Sequence, residues 1–146
     1  MNKKRAMLLA LAVVVAPAPG QSESDRPFQT HPPVSVYVTA GKITGVSEKD
    51  INTYSYETDI VWWIENREYE FPDKNLADGI IIRDMNGKPT NHHDCFRAPN
   101  AHRWYQCRKM DGGFTPGNNY KYTVNVVDTQ TNKLVDPPLD PFIHNK

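Results

Sequence analysis

The five residues Asn91-His92-His93-Asp94-Cys95 place two imidazoles, a carboxylate and a thiol in immediate succession. Side chains of these types bind zinc or copper(II), and a thiolate beside an imidazole serves as a nucleophile or a soft-metal ligand. On an extended strand, neighbouring side chains point to opposite faces. His92 and His93 therefore do not reach one ion together unless the backbone turns, whereas His92 and Asp94 share a face. His102, in the segment that follows Cys95, would complete a set of two imidazoles and one carboxylate with them. No recognised ligand spacing such as H-E-x-x-H supports that set, and the stretch reads first as a polar loop beside a cystine.

Other catalytic patterns fare worse. No Ser stands in a G-x-S-x-G context, and no glycine-rich loop is built to cradle a phosphate. Glu65, Glu68 and Glu70 supply carboxylates of the kind a glycosidase holds about 5–9 Å apart, but they read as solvated charges balancing Arg67. The expectation is a protein that is not an enzyme and carries no cofactor.

The N-terminus decides how the cysteines are read. Lys3, Lys4 and Arg5 precede an unbroken apolar run from Met7 to Ala16, and Pro17 to Gly20 then supplies small residues and a helix stop. This is the pattern of a secretory leader cleaved after Gly20. Its apolar run is well short of the roughly 20 residues that span a bilayer, and no later segment could cross one, so the mature protein is expected to have no membrane span. Of 146 residues, removing 20 leaves 126, enough for one domain. The leader holds three of the 17 basic residues and none of the 17 acidic ones, so the remainder carries about −3. Export and a mildly acidic balance both argue against a nucleic-acid partner. In a periplasmic or extracellular compartment Cys95 and Cys107, twelve positions apart, are expected to pair. Closing so short a loop contributes roughly 3 kcal/mol and withdraws the thiol from chemistry.

The elements that must position these residues read as strands. Residues 21–33 are polar and proline-bearing, a mobile lead-in to a domain over 34–146. Val34, Val36 and Val38 alternate on one face. Ile60, Trp62 and Ile64 share a face, with Val61 and Trp63 on the other, which predicts a central strand buried on both sides. Gly79 to Arg83 is a short apolar strand, followed by Asn86-Gly87, a strong hairpin signal. Tyr120, Tyr122, Val124 and Val126 alternate over seven residues. Leu134-Val135 begins a return strand that Pro137 and Pro138 interrupt. Glu48 to Ser55, the best helical candidate, is too short and too rich in Asn, Ser and Thr to persist alone. Short strands punctuated by Pro and Gly predict an all-β fold, a single antiparallel β-sandwich with one local disulfide.

Tyr120, Tyr122 and Val124 resemble the penultimate strand of an immunoglobulin-like sandwich, with Trp62 or Trp63 as its core tryptophan. Leu139 to Asn145, the YKYTV strand and Phe71-Pro72 with Gly79-Ile80 are similar to segments of small exported bacterial proteins of undetermined function. The resemblance implies an immunoglobulin-like or cupredoxin-like sandwich and no activity. The local cysteine pair departs from the distant inter-sheet disulfide of true immunoglobulin domains. Cys107-Arg108-Lys109-Met110 lacks the His that a blue-copper loop places between Cys and Met.

The segment from Cys95 to Lys109 interleaves Arg97, Arg103 and Arg108 with Phe96, Trp104 and Tyr105. Arg, Trp and Tyr are the types enriched at binding hot spots, and a disulfide lowers the ordering cost of such a loop. These six residues are the expected recognition tip for a protein or an anionic cell-surface polymer. The competing expectation is a structural hairpin in which Phe96 and Trp104 complete the core and the arginines are merely solvated. The functional expectation is an exported, non-enzymatic binding module, with a metal-binding protein using His92, Asp94 and His102 as the alternative.

Overall fold

The computed structural model describes residues 29–54, 57–110 and 117–146. The expected leader and most of the lead-in lie outside them. In chain order the strands are β1 (Gln29–Thr30), β2 (Val34–Thr39), β3 (Lys42–Val46), β4 (Asp50–Thr53), β5 (Glu57–Ile64) and β6 (Tyr69–Glu70). There follow β7 (Ile80–Asp84), β8 (His93–Arg97), β9 (Trp104–Lys109), β10 (Asn119–Val124), β11 (Val127–Asp128), β12 (Lys133–Leu134) and β13 (Phe142–Asn145). Among the described residues there is no helix, and so none long and apolar enough to cross a membrane.

One sheet runs β3-β2-β5-β9-β8, with β1 against β5; a second runs β4-β13-β10-β7; β12-β11-β6 form a small third. Trp62 of β5 meets Tyr122 of β10 at a ring-centroid distance of 5.3 Å, so the first two sheets face each other over a common core. Val34, Val36, Ile60, Ile64, Val124 and Ile143 are fully buried around that contact. Each is an alternate residue of its strand, and each such burial stabilises by about 1.5–3 kcal/mol. The all-β expectation holds, and the cysteines are paired.

The antiparallel expectation is corrected. β1 and β2 both run parallel to β5, and β4 runs parallel to β13. After the β2–β3 hairpin the chain crosses to the second sheet for β4 and comes back as β5 beside β2. A return by way of the opposite sheet brings a strand back in its original direction. Hydrophobic alternation is the same for either direction, so it carries no information on this point.

Three local details also differ. β5 is central, but its second face is only half-buried at Val61 and Trp63. Gln29 and Thr30, within the expected lead-in, pair with β5, and the buried His31 donates its backbone N–H to Asp59 O at 2.8 Å. Asn86-Gly87 does turn the chain back along β7, through Asp84 N to Lys88 O and Thr90 N to Ile82 O, but the returning segment then leaves for β8 in the other sheet. The tight two-residue hairpin is Ala40-Gly41, between the paired Thr39 and Lys42, with φ of 50° and 74°. An Ala in that left-handed position is not a turn signal. The Gly41 N–H donates to Tyr69 Oη at 2.9 Å and holds the turn in place.

Gly79 precedes β7 under the buried ring of Tyr105, which is tilted against Phe71 at 5.2 Å. A Cβ there would lie 2.6 Å from Tyr105 Cε2 and 3.0 Å from Phe71 Cδ1. Both rings sit in the core with no room to retreat. Gly79→Ala is expected to destabilise the fold by about 1–3 kcal/mol, measured as a lower urea midpoint at unchanged m-value.

Candidate functional site

Strand β9 lies between β5 and β8, with Trp104 opposite Trp63 on one side and Cys107 opposite Cys95 on the other. Alternation then sorts the hairpin. Trp104, Gln106 and Arg108 point outward; Tyr105, Cys107 and Lys109 point toward the opposite sheet. From β8, Asp94 and Phe96 join the outer face.

The outer face grades from aromatic to ionic along the strands. Trp63 and Trp104 stack at 5.5 Å and 20°, and Trp63 Nε1 donates to Ser35 Oγ at 2.9 Å. Trp104 and Phe96 are each 38% exposed. Below them Gln106 Nε2 donates to Asp59 Oδ2 at 2.8 Å, and Arg108 Nε sits 3.5 Å from Asp59 Oδ1. Phe96 and Trp104 thus lie outside the core that a purely structural hairpin would have them complete.

Two residues expected on the recognition surface lie elsewhere. Tyr105 is 3% exposed, and burial raises the pKa of its phenol. Arg97 shares its inward phase, and its guanidinium donates to Phe71 O at 3.1 Å and to Asp73 Oδ2 at 3.1 Å, with Glu70 at 3.9 Å. Arg103 sits at the tip and donates from Nη1 to Ile64 O at 3.2 Å and Glu65 O at 2.9 Å. These two arginines are anchored on main-chain carbonyls and are not merely solvated.

Those anchors build a groove. Backbone bonds from Ile64 N to Arg103 O and from Phe71 N to His102 O, both 2.9 Å, fasten the β8–β9 connection to the β5–β6 turn. Between them lies an open groove of about 630 Å³, lined by Arg67, Glu70, Asn100, His102, Arg103 and Trp104 among others. His102 Nδ1 is 3.5 Å from Glu70 Oε2, and its Nε2 donates to Pro99 O at 3.3 Å. Arg67, expected to balance its neighbouring glutamates, has no ion-pair or hydrogen-bond partner among the described residues. Trp63, Arg67 and Asn100 were not among the sequence candidates. Trp63 was half visible as the outward partner in β5; the other two enter through pairing between distant segments.

The His92, Asp94, His102 set does not assemble. His92 lies just before the end of the ladder where His93 pairs with Lys109, whereas His102 lies beyond the opposite end, where Arg97 pairs with Tyr105. Asp94 faces outward. Among the described residues, no three His, Cys, Asp or Glu side chains are grouped to hold a metal ion. His92 Nδ1 is instead 3.3 Å from Tyr120 Oη.

His93 is 8% exposed, packed edge-on to Tyr120 at 5.2 Å, and neither ring nitrogen has a hydrogen-bond partner. Burial, reinforced by the charges of Lys109 and His92, lowers its pKa to about 4. Lys109, inward on β9, is itself lowered to about 8 by burial, which Glu57 partly opposes. This end of the hairpin is a desolvated polar cluster, and the tip is an open cationic one.

The chain matches no protein-family model and no curated protein sequence.

Because the folded pKa of His93 lies below its ordinary 6.5, the unfolded chain holds a proton that the folded chain lacks between pH 6.5 and 4. Stability is full above that window and falls as pH drops through it, by roughly 3 kcal/mol for this group. His93→Phe is expected to match the parent or exceed it at pH 7.5 and to lose less stability at pH 4.5, read from urea unfolding at both values. Replacing both Cys95 and Cys107 with Ala is expected to lower stability by about 2–4 kcal/mol. That corresponds to a fall in Tm of roughly 10 °C, checked by thermal melts monitored by circular dichroism.

Proposed function

We propose that this chain is an exported binding protein, working in the periplasm or outside the cell, that recognises its partner through the outer face and tip of the cystine hairpin. We read its facing sheets as an immunoglobulin-like sandwich with Trp62 as the core tryptophan and the outer face of the β8–β9 hairpin as its recognition element. The observation that carries the reading is the Trp63–Trp104 stack, which stands on the solvent side of a central strand pair with Phe96 exposed beside it. Stacking and burial of large aromatic side chains would both be gained in the core. A stack placed in water forgoes much of that gain, and a partner that covers it supplies the burial instead.

The surroundings favour binding. Gln106, Arg108 and Arg103 offer donors around the aromatic centre, the pattern of an anchor inside a polar rim. The disulfide, the β5 ladder and the tip bonds hold these groups in place before any partner arrives, so little ordering entropy is lost on association. The secretory leader pattern and the paired cysteines support the compartment.

Trp104→Ala removes a surface side chain together with its stack on Trp63; it should lower the unfolding free energy by about 1 kcal/mol and leave the chain folded, read from urea unfolding. Retention of the purified chain on a cell-envelope fraction should fall about 30-fold, the loss of a hot spot worth about 2 kcal/mol. Retention equal to that of the parent would sink the reading.

A further inference from the structure

We infer that the groove at the hairpin tip is a subsite for an acidic sugar: a hexuronate unit of a saccharide, its ring against Trp104 and its carboxylate on Arg67 and Arg103. The inference rests on the binding reading above and names the ligand class of that same surface.

Charge is the first support. Arg103 uses Nη1 on Ile64 O and Glu65 O, so its Nε and Nη2 donors are left without a partner among the described residues. Arg67, on the β5–β6 turn, is exposed and makes no ion pair or hydrogen bond among those residues, even with Glu65 and Glu68 beside it in the sequence. The one carboxylate lining the groove, Glu70, lies 3.9 Å from Arg97, which it shares with Asp73, and 3.5 Å from His102. Arg67 and Arg103 therefore bring two cations to the groove against the single carboxylate of Glu70. A guanidinium held in place by main-chain acceptors is a preset fork for a planar carboxylate.

Shape and lining give the rest of the ligand. The volume, about 630 Å³, falls within the range of small-molecule clefts, roughly 300–1,000 Å³. Unlike such clefts it is open and lined mainly by polar groups. An apolar ligand would leave Arg67 and Asn100 unpaired, at the cost that burying unsatisfied polar groups carries. A bare phosphate would use the cations but not Trp104. One side of the Trp104 indole is taken by Trp63, so a single aromatic surface is left and no slot between two rings. That suits a ring with one C–H face and hydroxyls at its edge, for which the Asn100 amide can both donate and accept. A nucleotide is the nearest competitor and serves as a control.

The test is calorimetric titration of the purified chain with trisaccharides of galacturonate, mannuronate and glucuronate, their methyl esters, and adenosine monophosphate. At least one free-acid trisaccharide is expected to bind saturably, about tenfold or more tightly than its ester, and more weakly as NaCl rises from ~50 to ~500 mM. Arg67→Gln should cost the free acid about tenfold and erase most of the difference between acid and ester. Its unfolding midpoint should be unchanged, because Arg67 makes no ion pair or hydrogen bond among the described residues. Trp104→Ala should weaken acid and ester alike. The assignment is overturned if no uronate binds, if acid and ester bind equally, if Arg67→Gln leaves affinity unchanged, or if the nucleotide binds most tightly. If the uronates fail while Trp104→Ala still releases the chain from envelope material, the sugar falls and the hairpin reading stands. If both fail, both fall.

Discussion

Strand β9 is paired on both sides, and the position of one residue in it determines the position of all the others. Cys107 opposes Cys95 in one ladder and Ile60 in the other, and the disulfide forms only on the inward phase of both strands. A slip of one residue would turn Cys107 to the outside and bring Trp104 and Arg108 into the core. The second outcome would bury a guanidinium without a partner, at a cost of several kcal/mol. The outward aromatic stack, the inward Tyr105 over Gly79 and the desolvated Lys109 are therefore consequences of a single register. The covalent link holds that register, and the apolar faces of β5 and β9 favour it.

The arginines in and around the hairpin are used in two ways. Arg97 and Arg103 are held by the main chain: Arg97 donates to Phe71 O, and Arg103 to Ile64 O and Glu65 O. A lysine would serve less well at Arg103: with both Nη1 hydrogens on carbonyls the guanidinium still holds its Nε and Nη2 donors in a plane, where an ammonium would keep one. Arg67 and Arg108 remain at the surface, Arg108 facing Asp59 and Arg67 facing the groove. The chain as a whole is balanced at 17 basic and 17 acidic residues, so the positive character of the tip arises from placement.

Much of this was readable in the residues, for identifiable reasons. The inward face of β2, β5 and β10 followed from period-two alternation, which burial on one side of a sheet enforces. The cystine followed from spacing and compartment. Strand direction was hidden, since alternation reads the same both ways. The sorting of the six candidate residues was recoverable in part: counting back by twos from Cys107 puts Tyr105 inside with it and Trp104 outside. Taking the segment as one tip obscured that phase. Arg67 and Asn100 could not have been found locally, because the groove exists only where a β5–β6 turn is fastened to a β8–β9 connection some thirty positions away. Likewise His92 and His102 looked close in sequence, and a straight hairpin holds them at opposite ends.

The fastening of the tip by Ile64 N to Arg103 O and Phe71 N to His102 O has a kinetic side. With its walls already in place, the groove has no lid among the described residues to shut behind an occupant. Arrival is then governed by diffusion and electrostatic attraction, and departure by how quickly water reclaims the contacts. Such a site exchanges its occupant freely. On a polymer that repeats the same unit, lasting attachment would come from many brief engagements along the chain, through local concentration of the repeating unit.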